Sequence, residues 1–348
     1  MKQNTILVTG GCGFIGSNFI IKQLQSYNNL IVNVDKLTYA GNPDNLKSVS
    51  SNKNYHFFEG DIKSKTLISD IFDNFNIDGL INFAAESHVD RSIDGPIEFV
   101  NTNILGTANL LECSRTYLNN NNIDHFRFIH VSTDEVYGSL GETGYFTEKT
   151  PFDPKSPYSA SKASSDHLVN AWFHTYGLPT IITNCSNNYG PYQFPEKLIP
   201  LIIMNCLNKK DLPVYGDGQN VRDWLYVEDH CNAINTIYLN GKIGETYNIG
   251  GNNEIKNLDI VHTICDLMDE LYPQKNKKSY KDLIAFVKDR PGHDFRYAID
   301  ATKIKNELNW VPSENFNSGI RKTVKWYLEN KEWYEKIKYS QKRLGISQ

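Results

Sequence analysis

The sequence predicts an α/β protein built on a doubly wound parallel β-sheet, and two observations support this prediction. Six short apolar runs recur through the first 185 residues, and amphipathic segments separate them. Nearly continuous apolar runs are typical of parallel strands that helices cover on both faces. The predicted strands are TILVTG at 5–10, LIVNVD at 30–35, YHFFEGD at 55–61, GLINFAA at 79–85, RFIHVST at 127–133 and PTIITNC at 179–185.

The segments between these strands predict helices, and the second half of the chain predicts a different organisation. The predicted helices include residues 15–26, 97–118 and 156–176. After about residue 185 the alternation gives way to stretches rich in proline and glycine, such as LPVYGDGQNVRDW. We expect one domain at 1–185, with later strand contributions near 223–250, and a smaller, irregular α+β domain at 186–348. The tail GIRKTVKWYLENKEWYEKI predicts a terminal amphipathic helix.

The composition limits the classes of function. The 348 residues carry a formal net charge of −4, which gives no electrostatic reason to expect a nucleic acid partner. The N-terminus lacks an apolar leader, and no apolar run approaches the roughly 20 residues of a membrane-spanning helix. We therefore expect a cytoplasmic protein with no membrane partner. The six cysteines lack metal-like spacing, so we expect reduced, mostly buried thiols and no metal site.

Three glycines after the first predicted strand predict a dinucleotide site. Gly10, Gly13 and Gly16 lie between a strand and a helix, where glycine lets backbone amides approach a pyrophosphate. The second strand ends at Asp35, 19 residues beyond Gly16, and an acid there suits a ribose 2′-hydroxyl and repels a 2′-phosphate. A Rossmann domain that binds NAD is therefore predicted. Asp61, after the third strand, is expected at the adenine amine, with an ordinary turn as the alternative. The other predicted cofactor contacts are Phe14, Ile15, Lys36, Thr38, Ile62, Ala84 and Ala85.

The segment SPYSASK contains a candidate catalytic pair. Tyr158 and Lys162 are four residues apart, which places them on one face of a predicted helix. The lysine ammonium can lower the tyrosine pKa and make the tyrosine a usable base at neutral pH. Together with the glycine turn and Thr133, this pair resembles the extended short-chain dehydrogenase/reductase superfamily. The resemblance implies that Thr133, Tyr158 and Lys162 flank the nicotinamide, so Tyr158 and Lys162 are also cofactor contacts.

Asp134 and Glu135 directly follow Thr133 at the end of a predicted buried strand. Adjacent carboxylates repel each other and lose hydration on burial, so a purely structural role would be costly. Alcohol oxidation or 4-epimerisation needs neither acid, whereas a dehydration needs one group to remove a carbon-bound proton and another to protonate the leaving hydroxide. Because consecutive strand residues face opposite sides, the chain must leave extended geometry after Thr133 if both acids are to flank one sugar.

The run STDEVYG resembles the nucleotide-sugar 4,6-dehydratases, and further blocks extend the resemblance over nearly the full chain. These blocks are DKLTYAGN, FAAESHVDRSI, YSASKASSDHLV, NCSNNYGPYQFPEKLIP, PVYGDGQNVRDWLYVEDH and DRPGHDFRYAID. In combination they are similar to the family that dehydrates dTDP-glucose. The resemblance implies that Tyr158 takes the proton of the 4-hydroxyl while C4 passes a hydride to NAD. It also implies that Glu135 removes the C5 proton, that Asp134 protonates the departing C6 hydroxyl, and that the hydride returns to C6.

The same resemblance implies a set of substrate contacts. The positions that match the family's diphosphate contacts are Asn187, Arg222, Asn257 and Arg290. Guanidinium groups suit phosphate oxygens because they can donate two parallel hydrogen bonds. His293 and Tyr297 are expected at the phosphate or the base, and Tyr215 on the pyrimidine or in the core. Ser87 is expected at the sugar or the nicotinamide, and Lys197 on the nucleotide side.

The resemblance also implies a homodimer, because the helices near 97–118 and 156–176 are similar to the pair that forms the family's interface. Residue spacing does not decide between thymidine and uridine donors, since a methyl group in a hydrophobic pocket contributes only about 1 to 3 kcal/mol. UDP-glucose as donor is thus an alternative. NAD-dependent 4-epimerisation of a nucleotide sugar is another, and the acid pair disfavours it. A non-enzymatic NAD-sensing or RNA-binding role is the third, and the intact catalytic set disfavours it.

Overall fold

The computed structural model describes residues 3–121, 123, 125–289 and 293–337. Its strands are β1 (Thr5–Thr9), β2 (Leu30–Asp35), β3 (Tyr55–Glu59), β4 (Gly79–Asn82), β5 (Arg127–Thr133), β6 (Thr180–Cys185), β7 (Asn187–Tyr189), β8 (Leu212–Tyr215), β9 (Val221–Tyr226), β10 (Thr246–Ile249), β11 (Glu254–Lys256) and β12 (Ile284–Val287). Its helices are α1 (Phe14–Ser26), α2 (Lys65–Asn74), α3 (Val89–Asp94), α4 (Pro96–Phe99), α5 (Thr107–Asn120), α6 (Pro157–Tyr176), α7 (Leu198–Asn208), α8 (Val227–Asn240), α9 (Asn257–Leu271), α10 (Thr302–Leu308), α11 (Phe316–Glu329) and α12 (Lys331–Glu335).

Seven of the strands form one parallel sheet in the order β10-β6-β5-β4-β1-β2-β3. The order reverses between β1 and β4, so their connections leave toward opposite sides and a crevice opens at the carboxyl ends of the strands. The register pairs Thr9 with Asn82, and Asn82 with His130, which brings the ends of β1, β4 and β5 to the same edge. This arrangement confirms the predicted Rossmann-type sheet.

Helices cover both faces of the sheet, as the apolar strand sequences predict. On one face, α1 and α8 contribute Phe19, Ile20 and Ile234 to a core with β1 and β5. On the other face, α2, α5 and α6 contribute side chains such as Leu110 and Val169 to a second core. Every residue of β4 and β6 is buried, because both faces of these strands pack against helices.

The predicted helix at 97–118 is interrupted by one wider segment. α4 continues into a π-helical segment, Val100–Gly106, and then into α5. The segment buries Asn103, whose side chain accepts a hydrogen bond from Glu86 N at 2.9 Å and donates one to Glu86 O at 3.0 Å. A π-helical turn inside an α-helix often marks a functional position, and here it fixes the loop that follows β4.

The later part of the chain forms a second packed region. β11, β9 and β7 form a three-stranded sheet, and β12 pairs with β8. α7, α9 and α11 pack there around side chains such as Ile202, Ile264 and Val324. β10 returns to the large sheet beside β6, whereas β9 does not join it. The division of the chain into domains at residue 185 stays a prediction.

The tail differs from the single helix that its sequence predicts. α11 ends at Glu329, and Asn330 leaves helical geometry with φ −111° and ψ 44° before α12 begins. The break lets Trp333 donate to Asn45 Oδ1 at 2.7 Å while Tyr327 stays in the second packed region. No helix in the described ranges has the length and apolarity that a membrane crossing requires.

Candidate active site

A deep cleft lies at the carboxyl edge of the large sheet, where the strand order reverses. It is lined by all the residues that the sequence predicts for NAD: Gly10, Gly13, Phe14, Ile15, Gly16, Asp35, Lys36, Thr38, Asp61, Ile62, Ala84, Ala85, Tyr158 and Lys162. Thr133, Asp134 and Glu135 line the same cleft. The fold therefore brings the predicted cofactor and catalytic residues to one place, although they come from separate strand ends and one helix.

The glycine turn fits a dinucleotide pyrophosphate. Gly10 has φ +70°, and a Cβ atom there would lie 2.6 Å from Ala84 N. A Cβ at Gly16 would lie 2.5 Å from Gly10 O, so only glycine allows this close approach of turn and helix. Gly13 is the N-cap of α1 and has no side-chain cap, which leaves the first amides of the helix for an anion.

Two acids line the part of the cleft that is predicted to hold the adenosine. Asp35 Oδ2 accepts a hydrogen bond from Cys12 N at 2.9 Å, and Oδ1 accepts one from Leu37 N at 2.8 Å. These bonds fix the carboxylate at the end of β2, although burial raises its pKa. Asp61 forms ion pairs with Lys36 at 3.0 Å and Lys63 at 3.6 Å. Burial opposes ionisation of Asp61, but the Lys63 amide and the Lys36 ammonium outweigh it and lower the pKa.

The predicted catalytic acids lie where β5 ends. Thr133 is still extended, and Asp134–Tyr137 form a 3₁₀ turn, so the chain leaves strand geometry at the predicted position. Thr133 Oγ1 accepts a hydrogen bond from Glu135 N at 3.3 Å, which fixes the turn. Asp134 is only 1% exposed, whereas Glu135 is half-buried. Burial, followed by the charge of Glu135, raises the pKa of Asp134 well above its usual value. These surroundings favour the protonated form of Asp134.

Tyr158 and Lys162 lie in the first turns of α6. Ser156 caps this helix reciprocally with Ser159, and Pro157 occupies the first helical position. Lys162 Nζ donates to Val131 O at 2.9 Å. The pKa of Tyr158 is raised, first by burial and then by the charge of Glu135. This is opposite to the lowering that the Tyr-Lys spacing predicts, because the spacing does not reveal how deeply the phenol is buried.

The predicted substrate residues divide into two sets. Ser87, Asn187 and Lys197 line the cleft, and Lys197 Nζ donates to Ser87 O at 2.8 Å. Arg222 lies behind Asp134, where its charge opposes the rise in the Asp134 pKa. Its guanidinium donates to Asp294 O at 2.8 Å and lies 4.3 Å from the centre of the Tyr297 ring.

Tyr215, His293 and Asn257 lie outside the cleft lining. Tyr215 donates to Asp90 Oδ2 at 3.2 Å, and its ring contacts the edge of His293. His293 Nδ1 lies 2.6 Å from Asp289 Oδ1. Asn257 begins α9, where its backbone N–H donates to Asn220 O. Arg290 lies outside the described residues.

Sequence reasoning missed several acids at and below this site. Glu86 and Glu196 line the cleft, and Tyr39 OH donates to Glu196 Oε1 at 2.9 Å. Asp166 lies one helical turn beyond Lys162 and is completely buried. These acids stand in the segments FAAESHVDRSI, YSASKASSD and QFPEKLIP, but a lone carboxylate in such a segment gives no signal until its burial is known.

Comparisons with known proteins agree with this geometry. The family model described as GDP-mannose 4,6 dehydratase matches residues 7–323. A dTDP-glucose 4,6-dehydratase of Shigella flexneri is 58% identical over 345 residues, covering 96% of this chain and 95% of the relative.

Two solved structures support the same family. The dTDP-glucose 4,6-dehydratase of Bacillus anthracis, in complex with NAD, has a TM-score of 0.87 and 49% identity, covering 96% of this chain and 100% of the other. That of Streptomyces venezuelae, with NAD and a dTDP ligand bound, has a TM-score of 0.88 and 43% identity, with the same coverage. The chain belongs to the nucleotide-sugar dehydratases of the GDP-mannose 4,6 dehydratase family, and within them to the dTDP-glucose 4,6-dehydratases.

Proposed function

We propose that this protein dehydrates dTDP-glucose to dTDP-4-keto-6-deoxyglucose, with NAD as a resident cofactor. The observation that carries the proposal is the pair formed by buried Asp134 and half-buried Glu135 in the same cleft as Tyr158. The pair supplies two carboxyl groups in different surroundings, one suited to be the acid and the other the base, and dehydration needs both. The relatives named above, two of which were crystallised with NAD, support the same assignment.

The cleft is suited to NAD at both ends. The glycine turn and the start of α1 would hold the pyrophosphate, and Asp35 would accept hydrogen bonds from the adenosine ribose. Asp61 is assigned to the adenine, and Ala84 and Ala85 border the path between the two halves. When bound, NAD accepts a hydride from C4 of the sugar and returns it to C6.

Tyr158 acts on the sugar hydroxyl at C4. Its phenolate takes the hydroxyl proton, and Thr133 Oγ1 positions the same hydroxyl from the end of β5. Because burial and Glu135 raise the pKa of Tyr158, the reaction needs positive charge close to the phenol. Lys162, on the same face of α6, supplies that charge from within the protein.

Glu135 and Asp134 then divide the elimination between them. Glu135, which is half-buried, is the base for the C5 proton once C4 carries a keto group. Asp134, whose burial favours its protonated form, donates that proton to the departing C6 hydroxyl. When the hydride reaches C6, Glu135 returns its proton to C5. The 3₁₀ turn supports this division, because it lets two consecutive carboxylates approach one sugar, which an extended strand could not do.

The nucleotide is assigned to the entrance formed by β7 and the loop before α7. Asn187 and Lys197 line the cleft on that side, and Ser87 faces them from the loop after β4. The charge of Arg222 acts on Asp134, and the Arg222 guanidinium stacks on the Tyr297 ring. We assign both residues to the diphosphate and to closure of the site.

We further propose a cytoplasmic homodimer. Four apolar side chains are exposed on α3, α4 and the π-helical segment, namely Ile93, Ile97, Val100 and Leu105. Exposed apolar side chains of this kind favour a protein partner. Light scattering on the purified protein should give twice the mass of the chain, and Ile97→Asp should shift it toward the monomer. A monomeric wild type would contradict the dimer.

The cytoplasmic location is supported by the cysteines. All six are buried free thiols, as suits a reducing compartment.

The activity is tested by incubating the purified protein, without added cofactor, with dTDP-glucose and separately with UDP-glucose. We expect loss of one water from dTDP-glucose by mass spectrometry and a 4-keto-6-deoxy product by NMR. Faster dehydration of UDP-glucose would make UDP-glucose, and not dTDP-glucose, the assigned donor. A product epimerised at C4, with no loss of water, would contradict the dehydratase assignment.

A further inference from the structure

A buried polar cluster surrounds Asp166, beyond Lys162 on α6. Asp166 follows Lys162 by one turn of α6, so that Tyr158, Lys162 and Asp166 succeed one another at intervals of four residues. The Asp166 side chain is 0% exposed and does not line the cleft. A buried carboxylate needs compensation, and this one lies next to a buried lysine that the proposed reaction uses.

The hydrogen bonds of Asp166 leave one oxygen uncommitted. Oδ2 accepts from Ser132 Oγ at 2.9 Å and from Asn184 Nδ2 at 3.3 Å. Oδ1 is buried and accepts no hydrogen bond from any residue that the structure describes. His130 Nε2 lies 3.5 Å from it. An uncommitted buried carboxylate oxygen is costly unless a positive charge is close.

His130 does not supply that charge. Thr9 Oγ1 donates to Asn82 Oδ1 at 2.6 Å, so the amide nitrogen of Asn82 faces His130 Nδ1 at 3.2 Å and donates to it. The proton of neutral His130 is then on Nε2, which lies 3.1 Å from Ser165 Oγ. Ser165 Oγ donates its own proton to Lys162 O at 2.8 Å, so it accepts from His130. Burial lowers the pKa of His130 well below its usual value, which keeps the ring neutral.

Lys162 is the cation of the cluster. Its side chain is buried, and Nζ donates to the neutral Val131 O at 2.9 Å. Because Nε2 of His130 carries a proton, its position 3.4 Å from Nζ provides no acceptor for the ammonium. Burial lowers the pKa of Lys162, and the charge of Asp166 is the strongest influence that opposes this.

We propose that Asp166 is a positioning residue that acts through Lys162. Its carboxylate balances the buried ammonium and so keeps the lysine charged below Tyr158, with Ser132 and Asn184 holding the carboxylate in place. The inference rests on the proposed function, because it assigns Asp166 a part in activating the tyrosine of that same site. It also makes the positive charge depend on a group outside the cleft.

Other ionisable groups face the cluster from each element that packs against it. Asp134, Glu135 and Tyr137 belong to the turn after β5, Tyr158 to α6, and Cys185 to the end of β6. Burial raises the pKa of Cys185 to about 12, so the thiol is neutral. Burial also raises the pKa of Asp166 to about 7, against the opposing charge of Lys162. Proton uptake by Asp166 just below neutral pH would therefore remove the balancing charge.

The test compares Asp166→Asn with Asp229→Asn in the full-length protein. Asp229 is a matched control, since it is also a buried carboxylate that accepts two hydrogen bonds, from Ser313 Oγ and Glu314 N, but it lies on α8 away from the cluster. The first readout is the NMR titration of lysine Cε, with the Lys162 signal identified by its loss in Lys162→Ala. The second is the pH profile of bound NADH formation after mixing with dTDP-glucose.

In the wild type we expect the Lys162 signal and the rate of NADH formation to change together near neutral pH. Asp166→Asn should abolish this change near neutral pH and lower the pH at which Lys162 loses its proton. It should also slow NADH formation at least about tenfold, which corresponds to one pKa unit. Asp166→Glu should restore part of the rate. Asp229→Asn should match the wild type in both readouts.

A Lys162 titration in Asp166→Asn that matches the wild type would overturn the proposal. If that variant does not fold, Ser132→Ala serves instead. Loss of a donor to Asp166 Oδ2 should raise the Asp166 pKa, so the change in the Lys162 signal should move to higher pH. A Lys162 signal that changes at the same pH in folded Ser132→Ala as in the wild type would also overturn the proposal. The NMR titration needs no turnover, so failure of the wild type to dehydrate dTDP-glucose would reject the proposed function and still decide the role of Asp166.

Discussion

Asp134 and Glu135 are neighbours in sequence, but the fold gives them different surroundings. Asp134 is buried beside Thr133, while Glu135 is half-buried at the cleft. Burial favours the neutral carboxyl group, and the charge of one acid favours the proton on the other. The difference in surroundings thus supports the proposed division into an acid and a base, although the two carboxyl groups have nearly the same intrinsic chemistry.

Removal of the base should separate the two halves of the reaction. In Glu135→Gln the 4-hydroxyl can still be oxidised, because Tyr158 and Lys162 are unchanged, but the C5 proton stays in place. We expect bound NADH to accumulate in rapid mixing with dTDP-glucose, and product formation to fall by about 10² to 10⁴, the usual contribution of a general base. Glu98→Gln, outside the cleft lining on α4, is the control. Normal dehydration by Glu135→Gln would remove the assignment.

The raised pKa of Asp134 should also affect stability. The folded protein retains a proton on Asp134 that the unfolded chain releases above the usual pKa of an aspartate. The free energy of unfolding of the wild type therefore falls as pH rises from the usual aspartate pKa toward the raised pKa of folded Asp134, by up to about 1.4 kcal/mol per pH unit. The amide that replaces this carboxyl group in Asp134→Asn does not titrate, so the variant lacks this contribution.

Thermal unfolding of Asp134→Asn and wild type should therefore be compared from about pH 4 to about pH 8. We expect the Tm of Asp134→Asn, relative to that of the wild type, to increase with pH. A difference in Tm that is constant over this range would show that Asp134 ionises normally in the folded protein.

At the scale of elements, the sequence predicted what local patterns determine. The first six strands begin and end within three residues of their predicted bounds, because each is a separate apolar run between turn residues. α6 begins at Pro157, one residue inside its predicted start, because Ser156 is a recognisable cap. The π-helical segment and the break at Asn330 were not predicted, since both depend on packing against distant parts of the chain.

The cap of α6 should contribute measurably to the stability of the protein. Ser156→Ala removes the hydrogen bond that Ser159 N donates to Ser156 Oγ at 3.1 Å, two residues before Tyr158. We expect a loss of about 1 kcal/mol in the free energy of unfolding. Ser164→Ala, on the exposed side of the same helix, should have little effect in the same denaturant titration. Equal stability of the two variants would contradict a role for the cap.

At the scale of the whole molecule, the cleft depends on topology more than on any motif. The glycine turn, Asp35 and the acid pair are far apart in sequence, and parallel strands that end at one edge bring them together. That arrangement follows from the strand order and could be anticipated from the alternating pattern. The contacts of Tyr215, Asn257 and His293 could not be anticipated from the sequence, because they depend on how the later, irregular region folds against the sheet. Their part in substrate binding stays a prediction.

The central claim is that one molecule of sugar provides and receives the same hydride within this cleft. The most direct measurement uses dTDP-glucose deuterated at C4, converted by the purified protein without added cofactor, with the label located by NMR. The account predicts a 4-keto-6-deoxy product with deuterium at C6. Deuterium retained at C4, or lost from the sugar altogether, would contradict it.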